Sequence, residues 1–109
     1  MIYYVNPEES DDYDTLVQEL RHRAECQIKS IHHLTEATKN YVRAYRALAA
    51  EDQGAAQETR EAVIVARREA VRQLRETFKD AAAIRDELPL LATRMQFAAQ
   101  KGITEIESY

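Results

Sequence analysis

The chain has 109 residues, with two glycines, two prolines, one cysteine, no tryptophan and a net charge of −4. That length makes one small domain, the scarcity of glycine and proline excludes a turn-rich β fold, and the acidic balance argues against generic nucleic-acid binding. Alanine, arginine, glutamate and leucine dominate, which is the composition of long helices.

Cys26 has no disulfide partner within the chain, so a reducing compartment is expected. The N-terminal stretch MIYYVNPEES lacks the basic start and apolar core of a secretory signal. No run reaches the ~18 apolar residues that span a bilayer. A cytoplasmic protein without membrane contact is the expectation.

In chain order, residues 1–10 form an arm and a helix cap. Asn6 suits the cap, Pro7 the first helical position, and Glu9 stands three residues after the cap. Glu8, Glu9, Asp11, Asp12 and Asp14 crowd this end, where the helix dipole favours negative charge. A single helical domain is predicted over residues 11–102, with its first helix over about 12–50. Val17, Leu20, Ala24, Ile31, Leu34, Tyr41, Tyr45 and Leu48 fall on heptad a and d positions, with Gln27 and Thr38 as polar exceptions. Ile28, Val42 and Ala49 widen the stripe on one flank and Leu16 on the other. So broad a stripe suits a bundle better than a two-stranded seam.

The stretch AAEDQGAAQ interrupts this pattern, with Asp52 and Gly54 as turn residues. The turn reads Asp-Gln-Gly and the chain lacks tryptophan, which sets it apart from the small secreted helical hairpins that carry Trp-x-Gly there. A second helix is predicted over about 57–88. Its core face is Val63, Ala70, Leu74, Thr77, Ala81, Ile84 and Leu88, flanked by Val71 and Phe78. AVIVA, residues 62–66, is apolar all round and calls for cover on more than one side.

Pro89 ends or kinks that helix. A third helix is predicted over about 90–101, with Lys101 in its last turn and Gly102 just past its end. Leu88, Leu91 and Met95 are expected to dock on the hairpin, with Leu90 and Phe97 pointing outward. Residues 103–109 carry no clear signal and read as a tail.

The fold class is therefore all-α: a long antiparallel hairpin with a short third helix. A first helix of this length extends roughly 55 Å, against a radius of gyration near ~13 Å for a compact domain of this size. A short third helix roofs only part of such a rod, so assembly into an oligomeric bundle is expected. Its core would be Val17, Leu20, Ile28, Ile31, Val42, Tyr45, Val63, Leu74, Phe78, Ile84, Leu88, Leu91 and Met95.

Chemistry is sparse. His22, Cys26 and His33 share one outward face, yet His22 and His33 stand about 16 Å apart along the helix, too far for one ion. His22 and Cys26 supply two ligands where zinc needs three or four. A helix mid-section also offers no oxyanion hole for a cysteine nucleophile. No phosphate loop, dinucleotide fingerprint or nucleophile elbow is present. Hence no enzyme activity, cofactor, metal or small-molecule substrate is expected.

The remaining signals concern surfaces. Arg68, Arg72, Arg75 and Lys79 form a basic column on the second helix, beside an acidic column of Glu69, Glu76, Asp80 and Glu87. Cross-column pairs such as Arg72–Glu76 fit a solvated face; the functional reading is a dock for an acidic partner helix. Tyr41 and Tyr45 lie near Arg43 and Arg46 and read as core with their hydroxyls at the edge. The expected function is a protein-binding module (adaptor, chaperone or inhibitor) using Arg68, Arg72, Arg75, Lys79, Leu90 and Phe97. A self-assembling structural subunit is the first alternative. A nucleic-acid-associated protein using the basic column is the second.

Overall fold

The computed structural model describes residues 7–52, 54 and 56–109, with side chains from residue 12 onward. The 1–6 arm and the Asn6 cap lie outside the described residues. Three helices follow in order: α1 (Pro7–Glu51), α2 (Ala56–Asp80) and α3 (Pro89–Ser108). No strand occurs among the described residues, and the fold is all-α.

α1 begins at Pro7 rather than near Asp12, and runs unbroken for 45 residues. No glycine or proline interrupts it after its first residue, so nothing forces a kink. Asp52 then leaves the helix, and its carboxylate accepts the Gly54 N–H at 2.9 Å. α2 returns antiparallel to α1.

Regular α-helix in α2 ends at Asp80, earlier than the predicted boundary at residue 88. A 3-10 turn over Ala81–Ile84 carries the chain to Leu88, whose φ of −135° and ψ of 65° are non-helical. The residue before a proline is pushed out of the α region by the proline ring. Leu88 still donates to the Ile84 carbonyl at 2.8 Å and accepts from Ala92 at 2.9 Å, so the corner leaves few orphan groups.

The largest departure from the sequence reading is α3. It continues to Ser108, so residues 103–108 are helix rather than tail. Gly102 does not terminate it. Gly102 is buried in mid-helix, and Ile103 and Ile106 beyond it are buried as well. Mid-helix glycine costs roughly 0.5–1 kcal/mol, whereas burying one isoleucine yields about 1.5–3 kcal/mol. Tertiary burial wins.

α3 runs parallel to α1, from the Ala24 level, where Leu91 and Met95 pack, to Arg43 and Arg46, which Tyr109 meets. The result is an up-down-up bundle measuring 76 × 18 × 15 Å, with a radius of gyration of 20.0 Å. Two core clusters lie along it. One gathers Ile31, Ala70, Val71, Leu74, Ala98, Ala99, Ile103 and Ile106. The other gathers Ala24, Ala81, Leu88, Leu91, Ala92 and Met95, with Val17, Leu20, Ile28 and Ile84 partly buried against it. The buried Thr35 and Thr38 hydroxyls donate to the carbonyls of Ile31 and Leu34, one turn back, which explains how polar residues sit on the apolar stripe.

This packing places much of the expected bundle core inside a single chain. Ile31, Val42, Leu74, Leu88, Leu91 and Met95 are buried within one chain, and Val17, Leu20, Ile28, Tyr45, Val63 and Ile84 are half-buried there. The stripe width that called for a second chain is filled in the middle of the rod by a longer α3. Phe78, expected in the core, is exposed at the α2–α3 edge, as are Tyr41, Leu48, Ile64 and Val65 elsewhere. Leu48, Ile64 and Val65 belong to the hairpin tip, which α3 does not reach.

Candidate interaction surfaces

The outer face of α3 follows from its register. Leu88, Leu91, Ala92 and Met95 point into the bundle, which forces Leu90 and Phe97, seven residues apart, onto the opposite side. Leu90 is 83% exposed and Phe97 71%. Arg94 and Lys101 are exposed between and after them, at helical spacings that place all four on one face. Leu90 and Arg94 also line a shallow groove with Arg21, Glu25 and Glu87. A large aliphatic, an aromatic and two cations in one stripe make an amphipathic docking face.

The basic column of α2 is gathered as the sequence suggests. Arg68, Arg72, Arg75 and Lys79 line one groove, together with Arg67, Val71, Glu76 and Glu107. Much of its charge is already engaged. Arg72 donates to Glu69 at 2.5 and 3.1 Å and to Glu76 at 2.8 Å. Arg75 pairs across to Glu107 of α3 at 3.7 Å. Arg68 and Lys79 make no ion pair among the described residues. Arg67 and Glu107 were not signalled as members of this groove. Glu107 lies in the stretch 103–109, which carries no clear helical signal in the sequence.

Glu69 is held well below the usual carboxylate range, at about 2, chiefly by its hydrogen bond from Arg72 and then by one from Gln73. A depressed carboxylate pKa means its contribution to stability is present above the unfolded value near 4.5 and is lost as pH falls through about 2. The group is exposed, so the effect on global stability is small. A carboxyl NMR titration should place Glu69 near 2, and Arg72→Ala should return it to the ordinary range. A normal titration in the unsubstituted protein would contradict the pairing.

The arginines near the end of α1 turn to Tyr109 rather than to the neighbouring tyrosines. Arg43 donates from Nε to the Tyr109 hydroxyl, and Arg46 donates from Nη2 to its carbonyl at 2.6 Å. Both guanidinium carbons lie over the Tyr109 ring, 5.1 and 5.5 Å from its centroid. Beside them Lys39 bridges to Glu105 at 3.1 Å, a bond that raises the Lys39 pKa. These contacts fasten α3 along α1. Tyr41 and Tyr45 instead pack against each other, ring centroids 4.4 Å apart and tilted by 39°, with Tyr41 exposed rather than in the core.

His22, Cys26 and His33 are exposed on α1. His22 Nε2 lies 3.7 Å from Cys26 Sγ. No group of three or more His, Cys, Asp or Glu side chains placed to hold a metal ion occurs among the described residues. No helix among them is long and apolar enough to cross a membrane. Against known proteins the chain finds no match: no family model, no curated protein and no solved structure corresponds to it.

Proposed function

We propose that this chain is a non-enzymatic module that binds another protein, seating an amphipathic helix of its partner on the outer face of α3. The observation that carries this reading is the pair Leu90 and Phe97, almost fully exposed at heptad spacing on a helix whose other face is closely packed. Phenylalanine and arginine are enriched at protein–protein interfaces, and helix-in-groove recognition uses apolar anchors at this spacing. Arg94 and Lys101 favour a partner with carboxylates flanking its apolar anchors. The half-neutralised groove of Arg68, Arg72, Arg75 and Lys79 is a secondary surface for the same kind of partner. Its interleaved acids disfavour a phosphate backbone. A cytoplasmic setting accords with the exposed Cys26 thiol.

A photo-crosslinker at position 97 identifies the partner segment in the native host, and the binding of that segment is then measured in isolation. Phe97→Ala and Leu90→Ala should each weaken it by about 1–3 kcal/mol while leaving Tm within a degree or two. A crosslink only to further copies of the chain, or unchanged affinity in both variants, would argue against this surface and for a self-assembling subunit.

A further inference from the structure

α3 covers one flank of the apolar stripe on α1, the flank of Ile28, Thr35 and Val42. Lys39, Arg43 and Arg46, which reach α3, lie on the same side of the helix. The other flank stays open. There Leu34, Tyr41 and Leu48 recur every seven residues, Tyr41 39% and Leu48 47% exposed and Leu34 half-buried. Ser30, Ala37 and Ala44 recur at the same interval beside them, all exposed. The two columns form an uncharged face about 27 Å long in the middle of α1. Charge appears only beyond its ends. Arg23 stands one heptad before Ser30, Glu51 one heptad after Ala44, and both are exposed.

This face is complementary to itself when two helices run antiparallel. Set Ala37 level with Tyr41 of a second copy. Leu34 is then level with Ala44 and Ser30 with Leu48, so every large side chain enters the space above a small one. Arg23 of each copy comes within one turn of Glu51 of the other, and Glu51 is level with Gln27. A parallel pairing stacks Tyr41 on Tyr41, leaves Ala37 over Ala37 and sets Arg23 against Arg23. Sliding the antiparallel pair by one heptad sets Glu51 against Leu34 in one direction and Arg23 against Leu48 in the other. Size and charge therefore select the same register.

We infer that α1 pairs with α1 of a second copy of this chain, antiparallel and two-fold symmetric, through the face from Ser30 to Leu48. The neighbouring side of α2 carries Glu69, bonded to Gln73 at the edge of the α1–α2 groove. Two such sides repel, so the contact is confined to α1. It is isologous and closes at a dimer. About five turns of one helix pair bury less than the roughly 1,200–2,000 Å² of stable complexes, so the dimer is weak, with a Kd of about 1 µM to 1 mM. The contact uses neither Leu90 nor Phe97, so it stands or falls separately from docking on α3.

Sedimentation velocity of the purified chain over that concentration range tests it. A monomer–dimer equilibrium with nothing larger is expected. Ala37→Glu fills the hole opposite Tyr41 with a charge and should weaken association at least ~10-fold, with an unchanged circular dichroism spectrum because the position is exposed. Arg23→Glu and Glu51→Arg should each weaken the dimer and, combined in one chain, restore it. Disulfide trapping with Cys26 replaced by serine reads the register. A Ser30→Cys chain mixed with a Leu48→Cys chain should crosslink one to the other. Neither should crosslink to itself, since two copies of position 30 lie about 27 Å apart along the axis. A chain that stays monomeric up to about 1 mM, growth beyond a dimer, or crosslinking of either cysteine chain to itself overturns the inference. So does an Ala37→Glu chain that dimerises like the unsubstituted one, or a charge-swapped chain no tighter than its single variants.

Discussion

Leu74→Ala is expected to cost about 2–5 kcal/mol, the range for truncating a buried leucine, and to lower Tm by at least ~10 °C in a domain of this size. Leu74 is 1% exposed and sits where all three helices meet, packed with Ile31 of α1 and with Ala98, Ala99 and Ile103 of α3. The alanines opposite it bring the backbones close together, so neighbours cannot relax into the vacated space and the cavity persists. Against the ~5–15 kcal/mol that holds an ordinary domain together, this is a large fraction. The control is Val65→Ala on the same helix, an exposed position at the tip, where a change within about 0.5 kcal/mol is expected. Urea denaturation of both variants measures the contrast. Equal midpoints would mean that α3 does not close over α2 at this level.

Gly102→Val should be comparably damaging, for the opposite reason. A Cβ at Gly102 would lie 2.7 Å from Thr35 Oγ1, closer than real Cβ atoms come, and 3.0 Å from Leu74 Cδ1, tighter than most such contacts. α3 therefore touches α1 and α2 through a position that has room for hydrogen alone. Overpacking of this kind costs typically ~1–3 kcal/mol, and the two further methyls of valine push towards the top of that range or past it. Gly102→Ala is the informative companion. It gains up to ~1 kcal/mol of helix propensity and meets the Cβ contacts with Thr35 and Leu74 without the two further methyls, so its net effect should be smaller than that of valine. Thr35→Ala should relieve part of the clash, giving a measurable coupling between the two positions. Thr35 bonds only to the carbonyl of Ile31 in its own helix, so removing its hydroxyl strands no partner. If Gly102→Val melts like the unsubstituted protein, the helix ends where local rules would end it.

Those local rules read Lys101-Gly102 as a helix stop, and their failure here is instructive. Glycine after a cation is a common C-cap signature because glycine tolerates left-handed geometry. At Gly102 the same residue serves a different need, close approach between helices, and no φ in the chain among the described residues is positive. The sequence around position 102 is the same under both readings. What distinguishes them is Thr35 and Leu74, distant in the chain.

The charged surface divides in the same way. Arg72–Glu76, four residues apart on one helix, forms as its spacing implies. Lys39–Glu105 and Arg75–Glu107 cross between helices, and both acids belong to a stretch that gave no local signal. Leu90 and Phe97 were readable as outward because Leu91 and Met95 fix the phase of their helix. That they remain so exposed depends on where α1 and α2 lie.

Periodicity, composition and proline position determined the class of fold, the existence of all three helices, the hairpin turn and the break at Pro89, because those features are set by contacts within a few residues. The length of α3, the role of Gly102 and the burial of Ile103 and Ile106 were decided only in three dimensions. So was the share of the apolar stripe left open at each end of the rod. Each depends on how far one helix reaches along another, and that reach follows from packing between segments the chain brings together from a distance.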